Sequence, residues 1–265
     1  MDGTPTSRSS RVRRIVRSGL TPSFQPIYAV GESSPFAVEG FIRGPAGNAL
    51  EAPMELFQAA HESGMSLILD EAAYTIVLKS FARLQWPGKL FLNVQPSTLQ
   101  SSAFAPLHLQ NAIKTAGLHP SQIILELTEH EPIHDAASLL KICDPLFDEG
   151  ITLSLDDVGA GFASMRLVCE LQPHIIKLDR FFIAGIAGSF VKRSVVQNFV
   201  NVASDIGARV VAEGVEQGED AWTVIKLGIG LMQGHHFGRP AAEPDLAPLP
   251  QGFWDALSSP TMPPP

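Results

Sequence analysis

An apolar run that ends in two acids and two glycines lies near the middle of the chain: ITLSLDDVGAG, residues 151–161. Ile151–Leu155 has the length and composition of a buried strand, and Gly159 and Gly161 allow the chain to turn sharply after it. An acid at the end of a strand is more often a turn residue than a functional one. By itself this stretch therefore predicts a strand. It predicts a functional site only if other strands of the chain also end in polar residues.

Seven more apolar runs of similar length lie on either side of this stretch. They are Phe24–Tyr28, Phe36–Phe41, Leu90–Val94, Ile123–Leu127, Ile175–Leu178, Val210–Ala212 and Ile229–Met232. From the third run onward, gaps of roughly 15–30 residues leave room for a crossover helix. Helical spacing of apolar residues in four segments between the runs supports this, over Pro53–His61, Leu67–Leu84, Ala136–Phe147 and Val195–Ile206. We therefore predict an α/β fold, a TIM-like (β/α)8 barrel.

The first connection in this pattern is too short for a parallel crossover. Only about seven residues, Ala29–Pro35, separate the first run from the second, and a parallel connection needs a dozen or more. Their composition is typical of a loop. Strands one and two are therefore predicted to be antiparallel, which gives a barrel with one antiparallel strand.

The two ends differ in composition from the chain between them. Residues 1–19 carry five arginines and one aspartate, a net charge of +4, which leaves −12 for the remaining residues. Residues 240–265 hold eight of the 21 prolines. We therefore divide the chain into an Arg-rich N-terminal extension (1–19), a barrel (20–245) and a Pro-rich C-terminal tail (246–265) whose last stretch should be loose. The basic extension is either a solvated end or a surface for an anionic partner.

Charge, hydropathy and cysteine content exclude several classes of protein. The acidic body argues against a protein that coats nucleic acid, so no DNA partner is predicted. No apolar run reaches the roughly 20 residues that cross a bilayer, and the N-terminus lacks the apolar core of a secretory signal. Cys143 and Cys169 form no CxxC pair and should be free thiols in a reducing compartment. The sequence predicts a cytoplasmic protein without a membrane span.

Polar side chains lie within or just after most of the apolar runs. Five are carboxylates, which parallel barrel strands would bring to one mouth: Glu39, Glu126, Asp156, Asp157 and Glu213. Two unit charges about 4 Å apart repel by roughly 4 kcal/mol at an effective dielectric of 20. Five carboxylates in one place must therefore protonate in part or be neutralised by cations.

Divalent cations fit this set of side chains. Carboxylate oxygens and the amide oxygens of Asn93 and Gln233 are ligands that Mg²⁺ or Mn²⁺ prefers, whereas no Cys or His recurs at these positions for zinc. Adjacent Asp156 and Asp157 suggest two ions with one shared carboxylate, provided that the chain bends so that both face the same side. Two such ions point to phosphoryl chemistry, with Lys177 near the reacting phosphorus or water. A surface lysine is the alternative for that residue.

At these positions the chain resembles the EAL domain family of cyclic di-GMP phosphodiesterases, over roughly residues 20–242. Eight segments match the family's motifs in order: Phe24–Ile27, Glu39–Arg43, Leu92–Val94, Glu126–Glu129, Asp156–Gly161, Lys177–Asp179, Glu213–Glu216 and Gln233–Gly234. Each segment is a weak signal, but eight in order are distinctive. Similar domains form a barrel with one antiparallel strand, as the spacing here also predicts. Four positions depart from the family pattern: Gly40, Phe41, Val158 and His235.

The resemblance implies a metal-dependent hydrolase that converts cyclic di-GMP to linear pGpG with two divalent cations, Mg²⁺ or Mn²⁺. The implied metal ligands are Glu39, Asn93, Glu126, Asp156, Asp157 and Glu213. Lys177 and Gln233 would position the attacking water, Glu129 would hold the loop after the fifth strand, and Gln25 and Arg43 would contact the dinucleotide. A silent cyclic di-GMP receptor is the alternative, although retention of every ligand favours the enzyme. The resemblance leaves a homodimer and a regulatory protein partner open.

Overall fold

The computed structural model describes residues 8–101, 106–127, 133, 135–159 and 164–258. Its eight strands form a closed barrel in chain order. The strands are β1 Thr21–Ala29, β2 Pro35–Arg43, β3 Lys89–Val94, β4 Ile123–Leu127, β5 Thr152–Val158, β6 Ile175–Leu178, β7 Arg209–Ala212 and β8 Leu231–Gln233. The predicted (β/α)8 barrel is confirmed.

Helices surround this barrel. They are α1 Arg8–Ser18, α2 Pro53–Glu62, α3 Ser66–Arg83, α4 Pro96–Leu99, α5 Pro106–Thr115, α6 Ala136–Asp148, α7 Ser164–Leu171, α8 Arg180–Ile183, α9 Phe190–Asp205, α10 Gly218–Lys226 and α11 Phe253–Ser258. Two 3-10 turns, Pro120–Gln122 and Ile186–Gly188, complete the described elements. None of these helices combines the length and apolar character that a bilayer crossing requires.

The first strand is the reversed one, as its short connection predicts. β1 pairs antiparallel with β2 on one side and with β8 on the other, whereas the pairs from β2 to β8 are parallel. In this register Gln25 lies opposite Glu39, and Ile27 lies opposite Gln233. Gln25 of β1 therefore lies between Glu39 of β2, at the start of the barrel sequence, and Gln233 of β8, at its end.

The inside of the barrel is closed by one apolar layer. Seven buried side chains, one from each strand except β5, form this layer: Ile27, Ala37, Phe91, Ile124, Ile175, Val211 and Leu231. The outer faces of the strands pack against the helices in a second and larger apolar cluster. Because side chains alternate along a strand, the residues two positions away from this inner layer also point inward.

Both ends of the described chain pack against the barrel. Val12 and Ile15 of α1 are buried in the large apolar cluster. In α11, the ring of Trp254 lies 6.0 Å from that of Phe237, and its Nε1 donates to the carbonyl oxygen of Glu32 at 2.9 Å. These contacts hold residues 253–258 in place, whereas the last stretch, which the sequence predicts to be loose, lies outside the described residues from residue 259 onward. The boundaries at 19/20 and 245/246 stay predictions.

Gly40 lies on β2, on the face of the strand that packs against α3. A Cβ at this position would lie 2.4 Å from Cγ1 of Val77 and 3.3 Å from Cδ1 of Leu90. Protein interiors are close-packed, so there is no free volume for the extra methyl group. Helix α3 occupies the space that an alanine side chain would take.

Replacing Gly40 by Ala should therefore destabilise the protein, although alanine is the better strand residue. We expect the free energy of unfolding to fall by about 1–3 kcal/mol, since overpacking a core costs this much and β-branched Val77 is stiff. Urea unfolding measures the change. Gly40→Ala combined with Val77→Ala should recover part of it, and Gly188→Ala, where no heavy atom lies within 4 Å of a new Cβ, is the control. Unchanged stability of Gly40→Ala would contradict tight packing here.

Candidate active site

The candidate site is the layer of side chains that follows the apolar layer inside the barrel. On five parallel strands the polar residue comes two positions after the apolar one: Ala37 to Glu39, Phe91 to Asn93, Ile124 to Glu126, Ile175 to Lys177 and Leu231 to Gln233. Glu213 likewise follows Val211, just beyond the end of β7. The strand pleat therefore turns a pattern in the sequence into one polar layer, with the apolar layer closing it from below.

Lys177 lies at the centre of this layer. Its ammonium nitrogen is 2.9 Å from Oε2 of Glu39, 2.6 Å from Oε1 of Glu213 and 3.1 Å from Oδ1 of Asp156. It also donates a short hydrogen bond to Oε1 of Glu126. The side chain is 1% exposed. Lys177 is thus a buried cation shared by four carboxylates, and the alternative of a surface lysine is wrong.

Glu39 is held by two amides as well as by Lys177. Nδ2 of Asn93 donates to Oε1 of Glu39 at 3.1 Å, and Nε2 of Gln233 donates to Oε2 at 2.8 Å. The amide oxygen of Asn93 is left for another partner, because its nitrogen is used. Gln25 joins the same network: its Oε1 accepts from Gln233 at 3.2 Å, and its Nε2 donates to the carbonyl oxygen of Gly238 at 2.9 Å.

A bulge in β5 brings two adjacent carboxylates to the same side. Leu155 pairs with Ile176 and Val158 pairs with Leu178, so Asp156 and Asp157 both lie opposite Lys177. The backbone of Asp157 has a φ of 51°, in the left-handed region that few residues other than glycine adopt. Carboxylate oxygens of Asp156, Asp157 and Glu213 consequently lie within 4.8 Å of one another. The bend that the sequence requires is present.

Burial and charge shift the proton affinities of the cluster. Burial raises the pKa of Glu126 well above its ordinary value, and the negative charge of Glu39 adds to this, while Lys177 opposes it. Burial also raises the pKa of Glu213, again against the effect of Lys177. Burial alone would lower the pKa of Lys177, but the surrounding carboxylates outweigh it and raise that pKa well above its usual range. These shifts keep Lys177 charged and make Glu126 and Glu213 easier to protonate than a free carboxyl group.

Three buried oxygens of this cluster lack a hydrogen-bond donor among the described residues. They are Oε2 of Glu126, Oε1 of Gln233 and Oδ1 of Asp156, although the last lies 3.1 Å from the Lys177 ammonium nitrogen. A buried acceptor without a partner costs free energy, so such atoms mark a place for a cation or a water molecule. The chemistry of the donors, carboxylate and amide oxygens, suits a hard divalent cation.

A groove of about 600 Å³ opens beside the carboxylates, between β2 and β3 and the helices α2 and α3. One wall includes Glu39, Asn93, Asp156 and Asp157, and the other is mainly apolar. Three large side chains on that wall are Phe41, Phe57 and Tyr74. The groove therefore joins an acidic end to a mainly apolar side, and its volume lies within the range of small-ligand sites.

A sequence profile of the EAL domain matches residues 9–240 of the chain. The chain belongs to the EAL domain family. The cyclic di-GMP phosphodiesterase RocR of Pseudomonas aeruginosa is 35% identical over 165 residues, which cover 62% of this chain and 42% of RocR. The antirepressor BluF of Escherichia coli, named for its regulation by blue light and temperature, is 31% identical over 178 residues, or 64% of this chain and 44% of BluF. This EAL chain thus spans less than half the length of these two relatives.

The barrel of this EAL domain also resembles solved structures. The calcium and cyclic di-GMP complex of Klebsiella pneumoniae BlrP1 superposes with a TM-score of 0.77 at 30% identity, covering 85% of this chain and 57% of that one. A manganese and cyclic di-GMP complex of the same protein matches as well. The two BlrP1 structures are thus complexes with a divalent cation, calcium or manganese, and cyclic di-GMP.

The structure places the remaining predicted residues of the EAL domain in different surroundings. Arg43 lies exposed at the end of β2, where its guanidinium is 4.0 Å from Glu51. Gln25 is buried within the polar layer rather than open to the groove. Glu129, predicted to support the loop after β5, lies outside the described residues. The sequence interpretation did not include Asp70 of α3, whose Oδ2 accepts from the backbone N–H of Gln95 at 3.0 Å and so holds the loop after Asn93.

Replacing Lys177 by Met should destabilise the metal-free protein. Removing one partner of a buried ion pair costs about 3–5 kcal/mol, and here four carboxylates lose a shared cation. In urea unfolding with EDTA, we expect this loss at neutral pH and a smaller one as the pH falls, because protonated carboxyl groups no longer repel. Added Mn²⁺ should also reduce it.

The exposed Lys79 provides the control for this substitution. Lys79→Met should unfold like the wild type at each pH. A Lys177→Met protein as stable as the wild type in EDTA would show that the carboxylates do not need this cation.

Proposed function

We propose that this chain hydrolyses cyclic di-GMP to linear pGpG with two divalent cations, Mg²⁺ or Mn²⁺. The observation that carries the proposal is the buried layer in which four carboxylates surround Lys177, with Asp157 beside them. The described residues retain each of the six ligand positions that the resemblance implies. RocR and BlrP1 support the choice of substrate, since their names and complexes refer to this dinucleotide.

The charge of the cluster fits two divalent cations. Five carboxylates against one ammonium leave four negative charges, which two such ions would balance. Glu39, Glu126, Asp156, Asp157, Glu213 and the amide oxygen of Asn93 would hold them. Because the pKa values of Glu126 and Glu213 are raised, ion binding would release protons from these groups. When bound, the ions would supply Lewis acidity and a water of lowered pKa.

The reaction itself adds water across one phosphodiester. Water attacks the phosphorus, the bond between phosphorus and the 3′ oxygen breaks, and the two protons of the water end on the leaving oxygen and on a carboxylate or solvent. The unpaired Oε1 of Gln233 can accept one hydrogen of that water and so orient it. The Lys177 ammonium, fixed by its carboxylates, would stabilise the negative charge that grows on the phosphoryl oxygens.

The groove would receive one half of the dinucleotide. A guanine placed there would pack against Phe41 and the apolar side of α2, while its phosphate reached the carboxylate end. Arg43, exposed on the rim, would bind a phosphate through its forked guanidinium. Gln25 would contribute through Gln233, with which it shares a hydrogen bond.

A cyclic di-GMP receptor without catalysis is the second candidate, because BluF is described as an antirepressor and is 31% identical. In that case the same groove would bind the dinucleotide and a partner protein would respond to it. A homodimer and a regulatory partner are proposed on the same footing. We also propose a cytoplasmic location, and both cysteines are free, as a reducing compartment allows.

Turnover of cyclic di-GMP should require a divalent cation. We expect pGpG to appear with Mg²⁺ or Mn²⁺ and to stop with excess EDTA, because the carboxylate layer has no other strong Lewis acid. Chromatography of the nucleotides measures this. Restoring Mn²⁺ to the EDTA-treated sample is the control for denaturation. Full activity after verified removal of metal would contradict the proposal.

Asp156→Asn should separate the enzyme from the receptor. The change keeps the size of the side chain but removes one charge at the bulge, so turnover should fall by several orders of magnitude while the barrel stays folded. Binding of cyclic di-GMP, measured by calorimetry, should change much less, because the groove and Arg43 remain. Asp205→Asn on α9 is a matched control that should keep full turnover. Binding without turnover in the wild type, whatever the divalent cation, would favour the receptor.

A further inference from the structure

Helix α1 carries arginines on the face that points away from the barrel. Val12 and Ile15 are buried against the barrel, whereas Arg13, Arg14 and Arg17 are exposed. With about 100° between successive residues, the three arginines fall within an arc of about 100° on the side opposite Val12. The helix is therefore amphipathic, with one buried apolar face and an opposite face on which arginines predominate.

Arg13, Arg14 and Arg17 line a concavity of about 410 Å³, and the other described residues that line it are Ser9, Ser10 and Ser18. Within the described residues no carboxylate forms an ion pair with these arginines. Like charges on neighbouring turns of a helix repel each other. Three guanidinium groups gathered around one space, without an acid from the described chain to offset them, favour an anion from outside.

We propose that α1 binds a soluble phosphate-bearing anion through Arg13, Arg14 and Arg17. The planar fork of guanidinium matches the oxygens of a phosphate, and charge-assisted hydrogen bonds of this kind are strong. The hydroxyl of Ser18 at the edge of the concavity can donate to the same oxygens. The volume lies within the range of small-ligand sites. All of these residues belong to α1, so the site is separate from the carboxylate layer inside the barrel.

Two larger anionic partners suit this surface less well. A helix that lies in a membrane interface inserts an apolar face into lipid, but the apolar residues of α1 are already packed on the barrel. Nucleic acid is bound along an extended basic track, whereas the chain outside residues 1–19 carries a net charge of −12. A small anion needs only the concavity and avoids the acidic body.

Inorganic pyrophosphate is the probe, titrated calorimetrically into the full chain at low salt with excess EDTA. The chelator keeps divalent ions from holding the probe at the carboxylate layer. We expect one saturable site per chain. The triple variant Arg13→Gln, Arg14→Gln, Arg17→Gln should bind roughly 100-fold more weakly, since three charge-assisted contacts are lost. Replacing the same three residues by Lys keeps the charge and the helix but removes the forked donors, so the affinity should lie between those of the wild type and the Gln variant.

The matched control removes the same charge from exposed positions elsewhere. This control variant combines Lys79→Gln on α3, Lys141→Gln on α6 and Arg166→Gln on α7. It should bind pyrophosphate as the wild type does. An equal loss in this control would mean a general charge effect and would overturn the site. Failure of the wild type to bind pyrophosphate would also overturn the site, even if that protein bound phosphatidylglycerol vesicles or duplex DNA. Circular dichroism confirms that each variant keeps its helices.

Discussion

The mutual repulsion of buried carboxylates is the constraint on which the rest of this structure depends. Four of them converge on the ammonium group of Lys177 from different strands, so one cation fixes the relative positions of β2, β4, β5 and β7 at the mouth. The apolar layer below excludes water from one side and makes each charge more costly. Repulsion of this kind favours the binding of further positive charge, and it contributes to the raised pKa of Glu126 and of Glu213.

The regular pleat of the strands accounts for what could be predicted from the sequence. Eight apolar runs with a polar residue at or after their ends predict both the barrel and the members of the polar layer, because side chains two apart on a strand share a face. Asn93, Glu126 and Lys177 were found in this way. The antiparallel first strand follows from the length of one loop. Where the strands of a barrel are regular, the polar residues at the ends of the apolar runs therefore identify the side chains that meet at its mouth.

Other features depend on contacts that no local pattern contains. The groove is lined by α2 at Met54, Phe57 and His61, a spacing that in the sequence looks the same as a face packed on a core. The role of Asp70 requires a loop 25 residues away to be next to it. The Pro-rich composition after residue 240 gives no sign of a fixed contact, yet Trp254 packs against Phe237 and donates to the carbonyl oxygen of Glu32. In each case tertiary contacts outweigh what composition alone indicates.

The reversed strand has a consequence for the order in which the chain can fold. Of the eight barrel strands β1 leaves the ribosome first, but one of its two edges pairs with β8, whose residues lie some two hundred positions later. Phe24 of β1 also pairs with Ala241, beyond β8. During synthesis the hairpin of β1 and β2 can form early, while the opposite edge of β1 stays unpaired until β8 has emerged. That edge is the place where a nascent chain would be open to chaperones or to pairing with a second nascent copy.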